Sequence, residues 1–138
     1  ASSKDVEIKV SSAYRSFGMQ SGLKANYLVT YGSGANSFSA DQGYSEHQLG
    51  TAVDLVIPSS PSLTIDFEKT EAFSWLKDNA HKYGFILSYP KGNAYYQYEP
   101  WHWRFVGVEL ATDLFDEGKT LSDLDQREID TYLVKIFD

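Results

Sequence analysis

A carboxylate set inside an apolar strand does most to limit what this chain can become. Residues 45–55 read SEHQLGTAVDL, and the chain leaves them through Val56 and Ile57. From Gly50 onward, strand alternation places Gly50, Ala52 and Asp54 on one face and Thr51, Val53 and Leu55 on the other. Burying an unpaired charge among such neighbours is costly, so Asp54 needs a cation, a metal or strong donors beside it. His47 lies seven residues earlier, close enough along the chain to reach the same partner. Two readings are open on this stretch alone: a His/Asp pair sharing a ligand, or an Asp bonded to loop amides beside an unrelated His.

The absence of cysteine removes thiolate metal sites, disulfides and a Cys nucleophile, and leaves His, Asp and Glu as the metal-binding side chains. A chain of 138 residues fits one domain, residues 1–138, with a core that needs no staples. A net charge of −7 argues against non-specific binding to nucleic acid or to an anionic membrane. No apolar run reaches the length of a membrane span. Residues 113–130 are acidic, as a solvated helical face is. Aromatic residues make up 15% of the chain, which suits a packed core and a site that grips something extended. No export signal is legible at Ala1, as expected of a chain trimmed of its export and anchoring segments.

Along the chain, residues 6–10 alternate apolar and charged and read as a half-buried strand that runs into SSAYRS. Arg15 then projects from a strand end, either into a cleft or as a surface cation. The spacing of Phe17, Leu23, Tyr27, Leu28 and Tyr31 predicts a helix despite Gly18 and Gly22. Residues 32–44, rich in Gly, Ser, Asn and Asp, form a long loop of the kind that often carries function. After Ile57 comes a PSSPS turn, then a helix capped by Thr64 or Asp66 that continues to Tyr83 and stops at Gly84. His81 belongs near the end of that helix as a structural residue. Phe85, Leu87 and Tyr89 alternate into a strand, residues 91–93 turn, and residues 94–107 return as an aromatic strand. A helix over Val108, Ala111, Leu114 and Phe115 and a last one capped by Ser122 close the chain.

The aromatic strand carries Glu99 three residues before His102. Positions three apart on a regular strand face opposite ways, so both line one site only if the chain kinks. Pro100 supplies the kink, leaving Glu99 just ahead of the strand and His102 within it. His102 as a packed core residue is the competing reading. Together His47, Asp54 and His102 make a two-nitrogen, one-oxygen set suited to zinc, with a fourth position open to water. Glu99 is then the spare carboxylate that takes a proton in a metal-assisted hydrolysis, and Arg15 the cation that meets an oxyanion.

The segments SSAYRSFGMQ, SEHQLGTAVDL, WLKDNAHKYGFILSYP and EPWHWRFVG, in that order, resemble the VanY-type zinc D-alanyl-D-alanine carboxypeptidases and their LD-carboxypeptidase relatives. The resemblance implies an α+β fold with a small, mainly antiparallel sheet flanked by helices. It matches His47, Asp54 and His102 to the zinc ligands, Glu99 to the catalytic base and Arg15 to the residue that stabilises the carbonyl oxygen. It also makes Ser45 and Gln20 candidate substrate contacts. The implied substrate is a peptidoglycan stem peptide ending in D-alanine, handled by a monomer in the extracytoplasmic space or envelope of a bacterium. Gly43 and Tyr44 stand where many members have Pro-Gly, which bears on loop conformation and substrate preference. An endopeptidase with the same site is one rival reading. A zinc-containing binding module is the other, and it would have lost the base or the arginine, both of which are here.

Overall fold

Residue pairing across the sheet, more than any single element, explains where the site falls. The computed structural model describes residues 6–31, 45–92 and 96–136. The four strands among the described residues are β1 (Lys9–Ser12), β2 (Ala52–Val56), β3 (Phe85–Leu87) and β4 (His102–Phe105), ordered β1-β2-β4-β3 with every pair antiparallel. The helices are α1 (Phe17–Tyr31), α2 (Glu71–Asn79), α3 (Val108–Glu117) and α4 (Gln126–Ile136). This is the α+β architecture expected, with a small sheet that is antiparallel throughout.

One face of the sheet is core. Leu55 and Trp103 pack with Phe67, Ala72, Phe73, Leu76 and Ala80, so α2 and its flanking turns cover that face. Val53 and Leu87 pair with Trp103 from either side and pack against the same cluster. The opposite face carries Asp54 opposite His102, with Ser12 opposite Asp54 on the outer strand. That row depends on an irregularity in β1: Val10 pairs with Leu55, but Ser12, not Ser11, pairs with Asp54. A bulge of this kind re-aims the residues that follow it. Here those residues lead to Arg15.

Several elements differ from their expected form. The first strand is Lys9–Ser12 rather than residues 6–10; Val6 and Ile8 do pack on the core, but ahead of the paired segment. The helix expected from Thr64 or Asp66 to Tyr83 is three pieces: a 3-10 turn Ile65–Lys69, α2, and a 3-10 turn Ala80–Tyr83. Thr70 divides them because it is extended (φ −86°, ψ 154°) and its Oγ1 accepts the Phe73 amide, which makes it the N-cap of α2. The aromatic return is a strand only over His102–Phe105. Its first residues, 94 and 95, and the loop 32–44 lie outside the described residues. The last helix is capped by Asp125, whose Oδ1 accepts the amides of Arg127 and Glu128, and not by Ser122.

Gly84, expected to end the α2 region, does so under two constraints. It adopts φ +82°, and a Cβ there would stand 2.6 Å from the Phe105 ring. Gly84 thus brings the backbone close against the Phe105 ring and the chain at Gly107 and Val108. His81 is buried in the Ala80–Tyr83 turn and stacks on Phe115 with ring centroids 3.8 Å apart, a structural placement as expected.

Candidate metal centre

Each candidate ligand is delivered by a different local device. Asp54 comes from the middle of β2, only 3% exposed. His102 opens β4 directly across from it. His47 rides on a 3-10 turn, Glu46–Leu49, whose C-cap Gly50 needs φ +72°. Two contacts hold that turn to the end of β1: the Arg15 amide donates to the His47 carbonyl at 3.0 Å, and His47 Nδ1 lies 2.6 Å from the Ala13 carbonyl. A carbonyl can only accept, so Nδ1 carries the proton and Nε2 is left to face Asp54 Oδ2 at 3.2 Å.

His102 is oriented the other way round. Its Nδ1 faces Asp54 Oδ1 at 3.1 Å while its Nε2 meets Glu46 Oε2 at 3.0 Å. Tyr89 stacks on the ring at 4.7 Å, and the two imidazoles meet edge to face at 4.8 Å. The ligand atoms of His47, Asp54 and His102 lie within 4.8 Å of one another, and all three residues are buried. No other such group occurs among the described residues.

The kink at Pro100 does what the sequence required of it. Glu99 precedes a turn closed by the His102 amide donating to the Glu99 carbonyl at 3.1 Å, and its Oε2 comes to 3.7 Å from His102 Nδ1. Pro100 is fully buried, and its carbonyl accepts the Trp103 indole N–H at 3.1 Å. Arg15 reaches the same centre from β1. Its Nη2 is 4.0 Å from Asp54 Oδ2, and it donates to Gln20 Oε1 at 2.7 Å and to Ser12 Oγ at 3.3 Å.

The two candidate substrate contacts occupy different settings. Gln20 is 1% exposed and accepts from Arg15, so it braces the guanidinium. Ser45 is buried at the head of the His47 turn, and its carbonyl accepts the Gln48 amide. Sequence reasoning missed Glu46, Ser88 and Arg104, which form a second layer behind His102. Arg104 was within reach, because residues two apart on a strand share a face and it follows His102 by two.

Charge and burial set the carboxylates apart. Burial works to raise Asp54, but hydrogen bonds from His102 and His47 outweigh it and hold the carboxyl well below the usual range. Burial likewise opposes ionisation of Glu46, which His102, Arg104 and Ser88 nonetheless hold down. Glu99 meets no such donors among the described residues: burial pushes it up to about 7, with the His102 charge opposing and Asp54 adding to the rise. Burial lowers His102, yet Asp54 and Glu46 raise it to about 9. A proton there occupies the face that a cation would take, and metal binding would displace it. Two imidazole nitrogens of fixed orientation and one ionised carboxylate, all converging, fit zinc.

A buried mononuclear site with three such donors and a further carboxylate, Glu99, standing by is the arrangement of a metal-dependent hydrolase. The family model described as VanY, D-alanyl-D-alanine carboxypeptidase, matches residues 1–108, and the chain belongs to that family. A D-alanyl-D-alanine carboxypeptidase of Enterococcus faecium is 38% identical over 117 residues, covering 83% of this chain and 35% of its own. The LdcB LD-carboxypeptidase structure superposes with a TM-score of 0.79 at 34% identity, over 97% of this chain and 61% of that one. A mutant of the vancomycin-resistance D,D-pentapeptidase VanY in complex with Zn(II) gives 0.74 at 30% identity, over 96% and 75%. The chain spans about a third to a half of the length of curated relatives it matches.

Proposed function

We propose that this chain is a zinc-dependent carboxypeptidase that releases a C-terminal D-alanine from peptidoglycan stem peptides. The observation that carries this reading is the convergence of His47, Asp54 and His102 on one point, with Glu99 beside it and outside the set. His47 Nε2, an Asp54 oxygen and His102 Nδ1 would hold the metal. Zinc, when bound, acts as a Lewis acid and brings the acidity of water to a pKa of ~7.

The remaining work belongs to the chain's own side chains. Glu99 takes the proton from the attacking water and returns it to the leaving amine nitrogen. In the metal-free centre burial pushes its carboxyl up to about 7, and a cation held by the three ligands would lower that value and favour the carboxylate that accepts the proton. Arg15 meets the charge that develops on the carbonyl oxygen, held in place by Gln20 and Ser12. Ser45 is proposed to lie along the substrate, while Gln20, buried behind Arg15, bears on it through that guanidinium.

Similarity to both a D,D- and an LD-carboxypeptidase supports a terminal D-alanine as the leaving residue whichever configuration precedes it. A cell-envelope setting, outside the cytoplasm of a bacterium, follows from that substrate, and a monomer is sufficient because one chain supplies every proposed group. None of the helices among the described residues is long and apolar enough to cross a membrane.

The test is Glu99→Ala. The variant keeps zinc and thermal midpoint, binds stem peptide and loses turnover by ~100- to 10,000-fold, as removal of a general base does. If zinc leaves with Glu99, it is a ligand; if turnover persists, another group activates the water.

A further inference from the structure

Glu46 is the residue of this centre that the proposed reaction does not use. It sits beside His47 on the 3-10 turn, yet its carboxylate reaches the far end of the sheet. Oε2 accepts from Ser88 Oγ at 2.8 Å and from His102 Nε2 at 3.0 Å, while Oε1 accepts from Arg104 Nη1 at 3.0 Å. Ser88 follows β3, and His102 and Arg104 share one face of β4. A single side chain therefore ties the turn carrying one proposed ligand to the strand carrying another.

Imidazole chemistry gives this tie a purpose. A neutral ring has one protonated nitrogen and one lone pair, and whichever nitrogen donates a hydrogen bond leaves the other free to bind metal. A carboxylate accepts only, so contact with Glu46 requires hydrogen on His102 Nε2 and leaves Nδ1 as the donor atom facing Asp54. His47 is set in the opposite sense by the Ala13 carbonyl, with Nε2 facing inward. The two rings thus present different nitrogens to one point.

We propose that Glu46 is a positioning residue for the metal centre: it selects Nδ1 of His102 as the zinc-binding nitrogen and fixes the spacing of His102 from the His47 turn. Arg104 and Ser88 hold the carboxylate in place by donating to it alongside His102. The proposal rests on the zinc reading above. Partners of this kind, behind the ligands, typically contribute 10- to 100-fold to metal affinity.

The experiment measures zinc affinity by competition with a chromogenic chelator for the parent, Glu46→Ala, Glu46→Gln and Ser88→Ala. Glu46→Ala should bind zinc ~10- to 100-fold more weakly, and Glu46→Gln, whose amide oxygen can serve His102 or Arg104 but not both at full strength, about tenfold more weakly. Ser88→Ala removes one of the donors that hold the Glu46 carboxylate while leaving the His102 contact itself, and should weaken zinc binding by a few-fold, less than Glu46→Ala. In the zinc-loaded parent, nitrogen-15 spectra should show a protected proton on His102 Nε2, and in Glu46→Ala that proton should exchange with water. Should the alanine variant fail to fold, the glutamine variant decides. Parent-like zinc affinity in a folded Glu46 variant overturns the proposal, as does a zinc-loaded parent with hydrogen on Nδ1. A parent that binds no zinc would instead overturn the function proposed above.

Discussion

Replacing Arg15 by alanine separates what this residue does for the reaction from what it does for the fold. Its guanidinium is held by Gln20 Oε1 at 2.7 Å and Ser12 Oγ at 3.3 Å, and lies 4.0 Å from Asp54 Oδ2. The Gln20 bond is charge-assisted and ends on a residue only 1% exposed, so losing it should cost about 1.5–3 kcal/mol of stability. The Asp54 contact is longer and the arginine side chain is 19% exposed, which makes its share smaller. Turnover should suffer more. Loss of one donor to a developing oxyanion costs ~100- to 1,000-fold, or roughly 3–4 kcal/mol of barrier. Arg15→Lys should recover little, because an ammonium cannot hold Gln20 and Ser12 while also facing the carbonyl. The assay is steady-state release of D-alanine from a defined stem peptide, at matched zinc content and well below the thermal midpoint of each variant. A folded, zinc-replete Arg15→Ala with near-normal turnover would return Arg15 to a surface cation that happens to lie beside Asp54.

Two further perturbations bear on the scaffold and the metal. Gly84→Ala should destabilise by about 2–5 kcal/mol, read from chemical denaturation, since it combines a left-handed backbone with a Cβ 2.6 Å from the Phe105 ring. Asp54→Ala should drop zinc from about one per chain to near zero by elemental analysis, because two imidazoles alone fall short of the three protein ligands of a catalytic zinc site.

The centre was legible because its parts are marked locally. Asp54 stood out as a charge between apolar neighbours, and the requirement for a kink between Glu99 and His102 was visible in Pro100. Both are where that reasoning placed them. Strand bounds were less legible because alternation reports burial, whereas pairing is set by a partner elsewhere in the chain. Val6 and Ile8 alternate toward the core without being paired, and the bulge between Val10 and Ser12 is fixed only by the register of β2. Thr70 shows a competition that periodicity does not reveal: its hydroxyl captures the Phe73 amide and restarts a helix that apolar spacing ran straight through. Glu46 escaped notice for a different reason. Its three partners lie at Ser88, His102 and Arg104, and nothing within its own turn distinguishes it from a solvated glutamate.

The central claim, zinc-dependent removal of a terminal D-alanine, is tested most directly by mass spectrometry of defined stem peptides after incubation with the protein. Pentapeptide ending in D-Ala-D-Ala and tetrapeptide ending in a single D-Ala would each be presented to zinc-loaded, chelator-stripped and zinc-restored samples. The zinc-loaded and restored samples should shorten at least one stem by a single C-terminal alanine, and the stripped sample should leave both intact. Equal cleavage by stripped and loaded protein, or cleavage at an internal bond with the terminal alanine retained, would contradict the account.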